Sequence, residues 1–389
     1  MSTSHTYDTP NLFASSLPHS FIKSLSVRVK DIDGINLGQG IPSFLPAQHI
    51  LDAAKTALDE PDISVYPHLM GNPDLREAVS EKLSAEHQNT FSPDNILVTV
   101  GAMEASASII FSLINDGDRV GVITPNYANH FSQIQLARGV CREIPLIEEA
   151  QWSLDLHKIE SEAKMGMKLL IVTNPSNPTG AIFDRSSVDA LVSLSKKYGF
   201  WVLSDETYHF LSYGDEVPSL LDWWGDDDNM LFVARSLSKE YAMSGWRIGY
   251  LVAPKPLRNF IARAHDALVG TAPRISQRAA HAAIAGPQDA VQEYVATLTK
   301  RRELVHSFVQ DMSNHFTYCA PQGAYYAFIK YKREVPSLEL TEDILNKVHV
   351  GVLPGSIFGA GGEHHFRISF GVSDEVLQSG LEKISTYFE

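Results

Sequence analysis

Along the first two thirds of the chain, short unbroken apolar runs alternate with amphipathic stretches. The runs at 96–100, 119–123, 169–172, 201–204 and 230–233 are rich in Ile, Leu and Val without polar alternation. That is the pattern of strands buried on both faces. Between two of them, Leu191, Leu194 and Tyr198 recur at helical spacing within 188–198, the apolar stripe of a covering helix. Strand and helix in alternation predict an α/β fold, a mostly parallel sheet covered by helices. Beyond about residue 286 the texture changes. A long charged helix is predicted over 289–312, then strands near 325–329, 350–353 and 366–370, then a helix over 377–388. This reads as a smaller α+β domain. Ahead of everything, residues 1–45 carry Pro18, an amphipathic piece (Phe21, Ile22, Leu25, Val27) and the run from Ile35 to Gly40. The predicted division is an arm (1–45) packing with the small domain, a large domain (46–285) and a small domain (286–389). No repeat, low-complexity tract or Gly/Ser linker interrupts it.

Composition narrows the function. The 389 residues are 44% hydrophobic and 20% charged, ample for a large core, and the formal net charge is −14. So acidic a chain is a poor partner for nucleic acid or anionic membrane, and any phosphate it binds must be held by local positive charge. Two cysteines, Cys141 and Cys319, make no disulfide framework and suit a reducing compartment. The first residues lack a basic segment followed by an apolar one, and no apolar run reaches the ~20 residues that span a bilayer. The expected location is the cytoplasm.

The chemistry is concentrated at 236–250, Ser-Leu-Ser-Lys-Glu-Tyr-Ala-Met-Ser-Gly-Trp-Arg-Ile-Gly-Tyr. Lys239 offers an amine for a Schiff base; Ser236, Ser238 and Arg247 offer donors for a phosphate dianion; Gly245 and Gly249 fall in the same short span. An imine-forming amine beside a phosphate cradle is what pyridoxal phosphate requires. The segment resembles the cofactor-lysine signature of class I/II aminotransferases, the fold-type I pyridoxal phosphate enzymes. Further motifs in the same order extend the resemblance over roughly 35–389.

The resemblance implies a large domain built on a mostly parallel sheet of the seven-stranded type, pyridoxal 5′-phosphate as cofactor, and residue roles at matching positions. Gly101-Ala102-Met103, opening a helix after a predicted strand, corresponds to the phosphate-cup turn. Tyr127, in Pro125-Asn126-Tyr127, corresponds to the aromatic that stacks on the cofactor ring. Asn177, in the double Asn-Pro segment 174–180, would donate to the cofactor's phenolic oxygen and help bind the substrate carboxylate. Asp205 would pair with the pyridinium N–H, and Tyr208 would hydrogen-bond the phenolic oxygen, with Glu206 out of contact; capping a helix is the alternative for either acid. Tyr66 would reach the phosphate of the neighbouring subunit in a homodimer. Arg367, with Gly40 leaving room, would grip the substrate α-carboxylate. His130, His364, His365 and Arg274 receive no role, surface or packing positions being favoured for them, and the histidines show no metal-binding spacing.

The implied reaction moves an amino group from an L-amino acid to a 2-oxo acid by a ping-pong cycle, with Lys239 as acid and base. Elimination, cyclisation or oxidation of an amino acid on the same scaffold uses the same groups and stays open. A cofactor-sensing regulator is the remote alternative and would need a basic DNA-binding module ahead of the motifs. For the substrate, Met103 stands where some aspartate-specific relatives have a Lys, and Leu37-Gly38-Gln39-Gly40-Ile41-Pro42 resembles relatives acting on neutral, sulfur-containing or aromatic amino acids.

Overall fold

A computed structural model describes residues 17, 20–214, 216–225 and 229–389. Residues 1–16, together with Pro18 and His19, lie outside the described part. In chain order the strands are β1 (Ile35–Asn36), β2 (Ile96–Thr99), β3 (Arg119–Thr124), β4 (Val140–Pro145), β5 (Met167–Thr173), β6 (Trp201–Asp205), β7 (Leu231–Ser236), β8 (Gly249–Val252), β9 (Phe316–Thr317), β10 (Tyr326–Tyr331), β11 (Val350–Gly351), β12 (Leu353–Pro354) and β13 (His365–Ser369).

Seven strands form the large sheet, in the order β2-β8-β7-β6-β5-β3-β4. β8 runs antiparallel to both neighbours and the other pairs are parallel. β2 is therefore co-directional with β7, and β2, β3, β5, β6 and β7 all end on one edge. Both faces are buried, as the unbroken apolar runs require. Leu169 and Ile171 pack on the side of the helix Ala102–Leu113, whereas Leu170 and Val172 pack with Val188 and Leu191 of the helix Arg185–Tyr198. That second helix is bounded as its sequence dictates. Asp184 caps it by accepting from Ser187 N at 2.9 Å, and Gly199 ends it at φ +71°.

The later part of the chain builds an antiparallel sheet, β12-β13-β10-β9. The expected strand at 350–353 is two pieces. β11 pairs in parallel with β1 of the arm, and β12 pairs with β13. The arm's helix Phe21–Asp31 buries Leu25 and Val29; Val27 is 61% exposed and belongs to its outer face. No helix among the described residues is long and apolar enough to cross a membrane.

Candidate active site

The co-directed strand ends open onto a cavity of about 250 Å³, which the arm and β13 close from the other side. Ligands bind at such strand ends in open α/β sheets. β2, β3, β5, β6 and β7 each deliver a cavity-lining residue at the strand's end or within a few residues beyond it.

β7 delivers Ser236, whose Oγ accepts from Ser238 N at 3.2 Å and so starts the helical turn that carries Lys239. Past β2, Gly101 takes φ +83° and begins the helix Ala102–Leu113. A Cβ there would stand 3.0 Å from the Arg247 guanidinium, so glycine answers both the conformation and the close approach. Arg247 is aimed by two carbonyls, donating to Ser244 O at 2.9 Å and Val100 O at 3.2 Å. Ser236, Ser238, Ala102, Met103 and Arg247 line one end of the cavity.

Lys239 donates to Gly40 O at 2.5 Å. Burial, followed by the nearby Arg367 and Arg247 guanidiniums, lowers its amine to about 8, against a smaller opposing effect of Asp205. Asp205 ends β6. One carboxylate oxygen accepts from Thr207 Oγ1 at 2.6 Å and Thr207 N at 3.1 Å. The other lies 3.7 Å from His130 Nε2. No Lys or Arg is ion-paired with Asp205 among the described residues.

His130 belongs to this assembly, against the expectation of a packing or surface role. Its Nδ1 lies 2.9 Å from Asn126 Oδ1, which also accepts from Thr173 Oγ1 at 3.1 Å and Tyr127 N at 2.7 Å. Burial lowers the His130 pKa, with Asp205 opposing. The available signal was its place on the helix that Tyr127 caps, one turn along. The other three unassigned residues fall elsewhere: His365 is buried against Glu148 at 3.2 Å, His364 is exposed, and Arg274 pairs with Asp62 at 2.7 Å. Glu206 turns from the cavity to the buried Arg235 at 3.2 Å and, as the capping alternative has it, accepts from Leu220 N at 3.0 Å at the start of the 3₁₀ turn Leu220–Trp223.

On the opposite wall, Arg367 in β13 is 1% exposed. Its Nη1 donates to Asn177 Oδ1 at 2.7 Å and its Nη2 to Gly38 O at 2.5 Å. Its Nε has no hydrogen-bond partner, and no carboxylate pairs with it among the described residues. A buried guanidinium without an anion is costly unless one is supplied. Tyr208 sits beneath, its hydroxyl 2.6 Å from that of Tyr326, and burial raises its pKa well above the ordinary value. Tyr326, Tyr325 and Thr207 were not singled out from the sequence, where two tyrosines at a strand start are indistinguishable from core. Tyr127 lines the cavity; Tyr66, 88% exposed, lies outside it.

A strand-edge lysine with a depressed pKa, a phosphate-sized cradle and an unpaired buried guanidinium define a cofactor-dependent enzyme of amino-acid chemistry. The sequence profile described as "Aminotransferase class I and II" matches residues 32–384, and the chain belongs to that family. It is 33% identical over 364 residues to the "Probable aspartate aminotransferase" of Methanocaldococcus jannaschii, covering 92% of this chain and 94% of that protein. It is 31% identical to the "Probable aspartate/prephenate aminotransferase" of Aquifex aeolicus, covering 94% of each. Among solved structures, the aspartate aminotransferase of Thermotoga maritima superposes with TM-score 0.90 at 27% identity, over 97% of this chain and 100% of that one. The alanine aminotransferase of Pyrococcus furiosus does so with TM-score 0.90 at 29% identity, over 97% and 99%.

The chain is thus an aminotransferase of fold type I, and pyridoxal 5′-phosphate is its cofactor. The residues present suit that group. Asp205 is a buried carboxylate with no Lys or Arg ion-paired to it among the described residues, and it suits a ring N–H. The donors at Ser236, Ser238 and Arg247 suit a phosphate, and the lowered Lys239 suits imine formation.

Proposed function

We propose that this site transfers the amino group of an L-amino acid to a 2-oxo acid in two half-reactions, with Lys239 as the proton carrier. The observation that carries the reading is Arg367. It is a buried guanidinium with a free Nε and no acid of its own, a few ångströms from the aromatic floor of a lysine-containing cavity. Bound in the cavity, the cofactor supplies an electron sink for the charge that develops at the substrate Cα. Everything else falls to the chain. Arg367, with Asn177 alongside, would bind the α-carboxylate and so fix the orientation of the substrate in the cavity. Gly40 leaves room for that carboxylate. Asp205 would keep the ring nitrogen protonated, with His130 Nε2 3.7 Å from its second oxygen. Tyr208 and Asn177 would donate to the phenolic oxygen, and Tyr127 would offer its ring face to the cofactor. Ser236, Ser238, Arg247 and the turn from Gly101 to Met103 hold the phosphate. Lys239, with a pKa of about 8, has on the order of a tenth of its amine unprotonated at pH 7, so it can accept the substrate Cα proton and would deliver it to the cofactor's C4′ carbon.

For the donor we infer a neutral side chain. Met103 occupies the rim where a cation would read a distal carboxylate, and Ile22 and Ile41 of the arm add apolar wall. An acidic donor is the second reading, favoured by relatives whose names specify aspartate. Division into arm, large domain and small domain serves this scheme by closing the cavity between them. Action as a homodimer in a reducing compartment completes the reading.

The test is a half-reaction. Purified, cofactor-loaded protein receives single amino acids without an acceptor, while the cofactor band and the products are followed. One oxo acid per site is expected, fastest with neutral or aromatic donors. Ammonia released over many turnovers, or oxygen uptake, would replace transamination by elimination or oxidation. Aspartate outpacing all neutral donors would replace the donor assignment alone.

A further inference from the structure

Tyr326 opens β10 and is 2% exposed, yet it lines the cavity and touches Tyr208 and Arg367 there. Its hydroxyl lies 2.6 Å from that of Tyr208. Its ring lies beneath Arg367, whose guanidinium carbon is 4.1 Å from the ring centroid. A Cβ on Gly40 would collide with the same hydroxyl, so Tyr326 also fixes how closely the arm's backbone can approach. The Gly40 carbonyl in turn accepts from Lys239 and, at 3.1 Å, from Tyr325 Oη.

We propose that Tyr326 is a positioning residue with two separable actions: its hydroxyl donates to Tyr208 and aims the Tyr208 proton into the cavity, and its ring seats Arg367 for the substrate carboxylate. This rests on the aminotransferase reading. The first action follows from hydrogen-bond supply. Tyr208 has one proton, and if it were spent on Tyr326 none would remain for the cofactor's phenolic oxygen. With Tyr326 as donor, the two hydroxyls form a chain in which each bond strengthens the next. The second follows from the quadrupole of the ring, which offers a desolvated guanidinium some of the negative charge it lacks. The two actions use different atoms and are separated by substitution.

The charged and titratable groups facing these hydroxyls are Tyr325, Arg367, Asp205, Tyr127, Lys239 and Arg247. Tyr326→Phe leaves all six in place and keeps the ring. It weakens Tyr208 as a donor, so the phenolic oxygen holds the neighbouring N–H proton more firmly. The pH at which the bound cofactor's visible band titrates should rise by ~0.5–1 unit. The dissociation constant for an unreactive carboxylate, 3-phenylpropanoate, should stay within about twofold of wild type, because the ring beneath Arg367 is retained. Tyr326→Leu should show the same rise and also bind that carboxylate ~3–30-fold more weakly. Tyr325→Phe removes a hydroxyl that donates to Gly40 O at 3.1 Å and neighbours that of Tyr326; it is the control for burying one fewer oxygen beside the pair and should move the titration less than Tyr326→Phe does. Thermal melting confirms that each variant is folded.

A Tyr326→Phe band titrating at the wild-type pH, while Tyr208→Phe moves it, overturns the first action. Equal carboxylate binding by the Phe and Leu variants overturns the second. A wild-type protein without a Lys239-dependent titrating band fails differently: it removes the aminotransferase reading, and this proposal with it.

Discussion

Lys239 shows at the scale of one residue how function is held against stability. Its amine is pulled from an ordinary 10.5 to about 8, first by burial. The folded state therefore binds the lysine proton less well than the unfolded chain does. Below pH 8 the amine is protonated in both states and the folded state carries the whole penalty. As pH rises from 8 to 10.5 the unfolded chain holds more proton, so stability climbs and the penalty disappears. Lys239→Met should accordingly stabilise the cofactor-free protein at pH 7 by ~1–2 kcal/mol, net of the lost bond to Gly40 O. The gain should vanish near pH 10.5. Paired thermal melts of the two cofactor-free proteins at pH 7 and 10 check both points. A loss of stability at pH 7 would mean that the amine is protonated and comfortably solvated in the fold. Arg367→Ala makes the complementary case. It should raise KM for amino donors by ~100-fold or more while the cofactor still binds, because it removes two charge-assisted bonds from the substrate and none from the phosphate. Steady-state kinetics beside a cofactor titration separate the two. These two residues were legible because lysine and arginine in long, specific segments have few other uses. Tyr326 and His130 were not, since a buried tyrosine or histidine acquires meaning only from what the fold sets beside it.

At the scale of elements, the apolar runs located β2, β3, β5, β6 and β7 to within a few residues, since burial on both faces leaves an unmistakable composition. β4 was missed. It is one of the two edge strands, and, unlike the fully buried β2 at the other edge, it is half exposed, with Arg142 and Glu143 interrupting its apolar pattern. β8 was missed for a different reason: Gly249-Tyr250-Leu251-Val252 follows directly on the lysine segment and reads as its tail. That strand is nevertheless what joins the two halves of the phosphate cradle. It lies between β2, which leads to Gly101, and β7, which leads to Ser236. The join is close. A Cβ on Gly249 would stand 2.6 Å from Arg235 O and 3.0 Å from Gly101 Cα, and no flexible side chain is there to yield. Gly249→Ala should therefore move the cradle itself. We expect a loss of ~2 kcal/mol or more in stability and a clear fall in cofactor affinity, measured by denaturant unfolding and fluorescence titration. Unfolding unchanged with affinity intact would show that β8 can shift without disturbing either loop.

The whole molecule raises the question of what Tyr66 is for. It lies outside the cavity of its own chain and is 88% exposed, beside Val65 at 57% and Leu58 at 60%. Yet the segment is held as though for use. Arg274 ion-pairs with Asp62 at 2.7 Å and donates to the carbonyls of Val65 and Tyr66 at 3.3 and 3.4 Å. An exposed apolar turn, pinned by a guanidinium, suits a surface that a second copy buries. In a two-fold dimer each copy presents the same patch, so a residue lent to the partner's phosphate is repaid by its equivalent. This arrangement makes a prediction that no monomer can meet. Lys239→Ala and Tyr66→Ala should each be nearly inactive alone at limiting cofactor. When they are unfolded together and refolded, a mixed dimer contains one site with both Lys239 and a lent Tyr66, and one with neither. With random pairing, half the dimers are mixed and half their sites are whole, so activity should recover to about a quarter of wild type. Recovery that needs co-refolding, and that saturates near that fraction, places Tyr66 in the partner's site. If the mixture stays at the sum of its two components while wild-type protein refolds normally, Tyr66 serves its own chain or none, and the active site is complete within one copy.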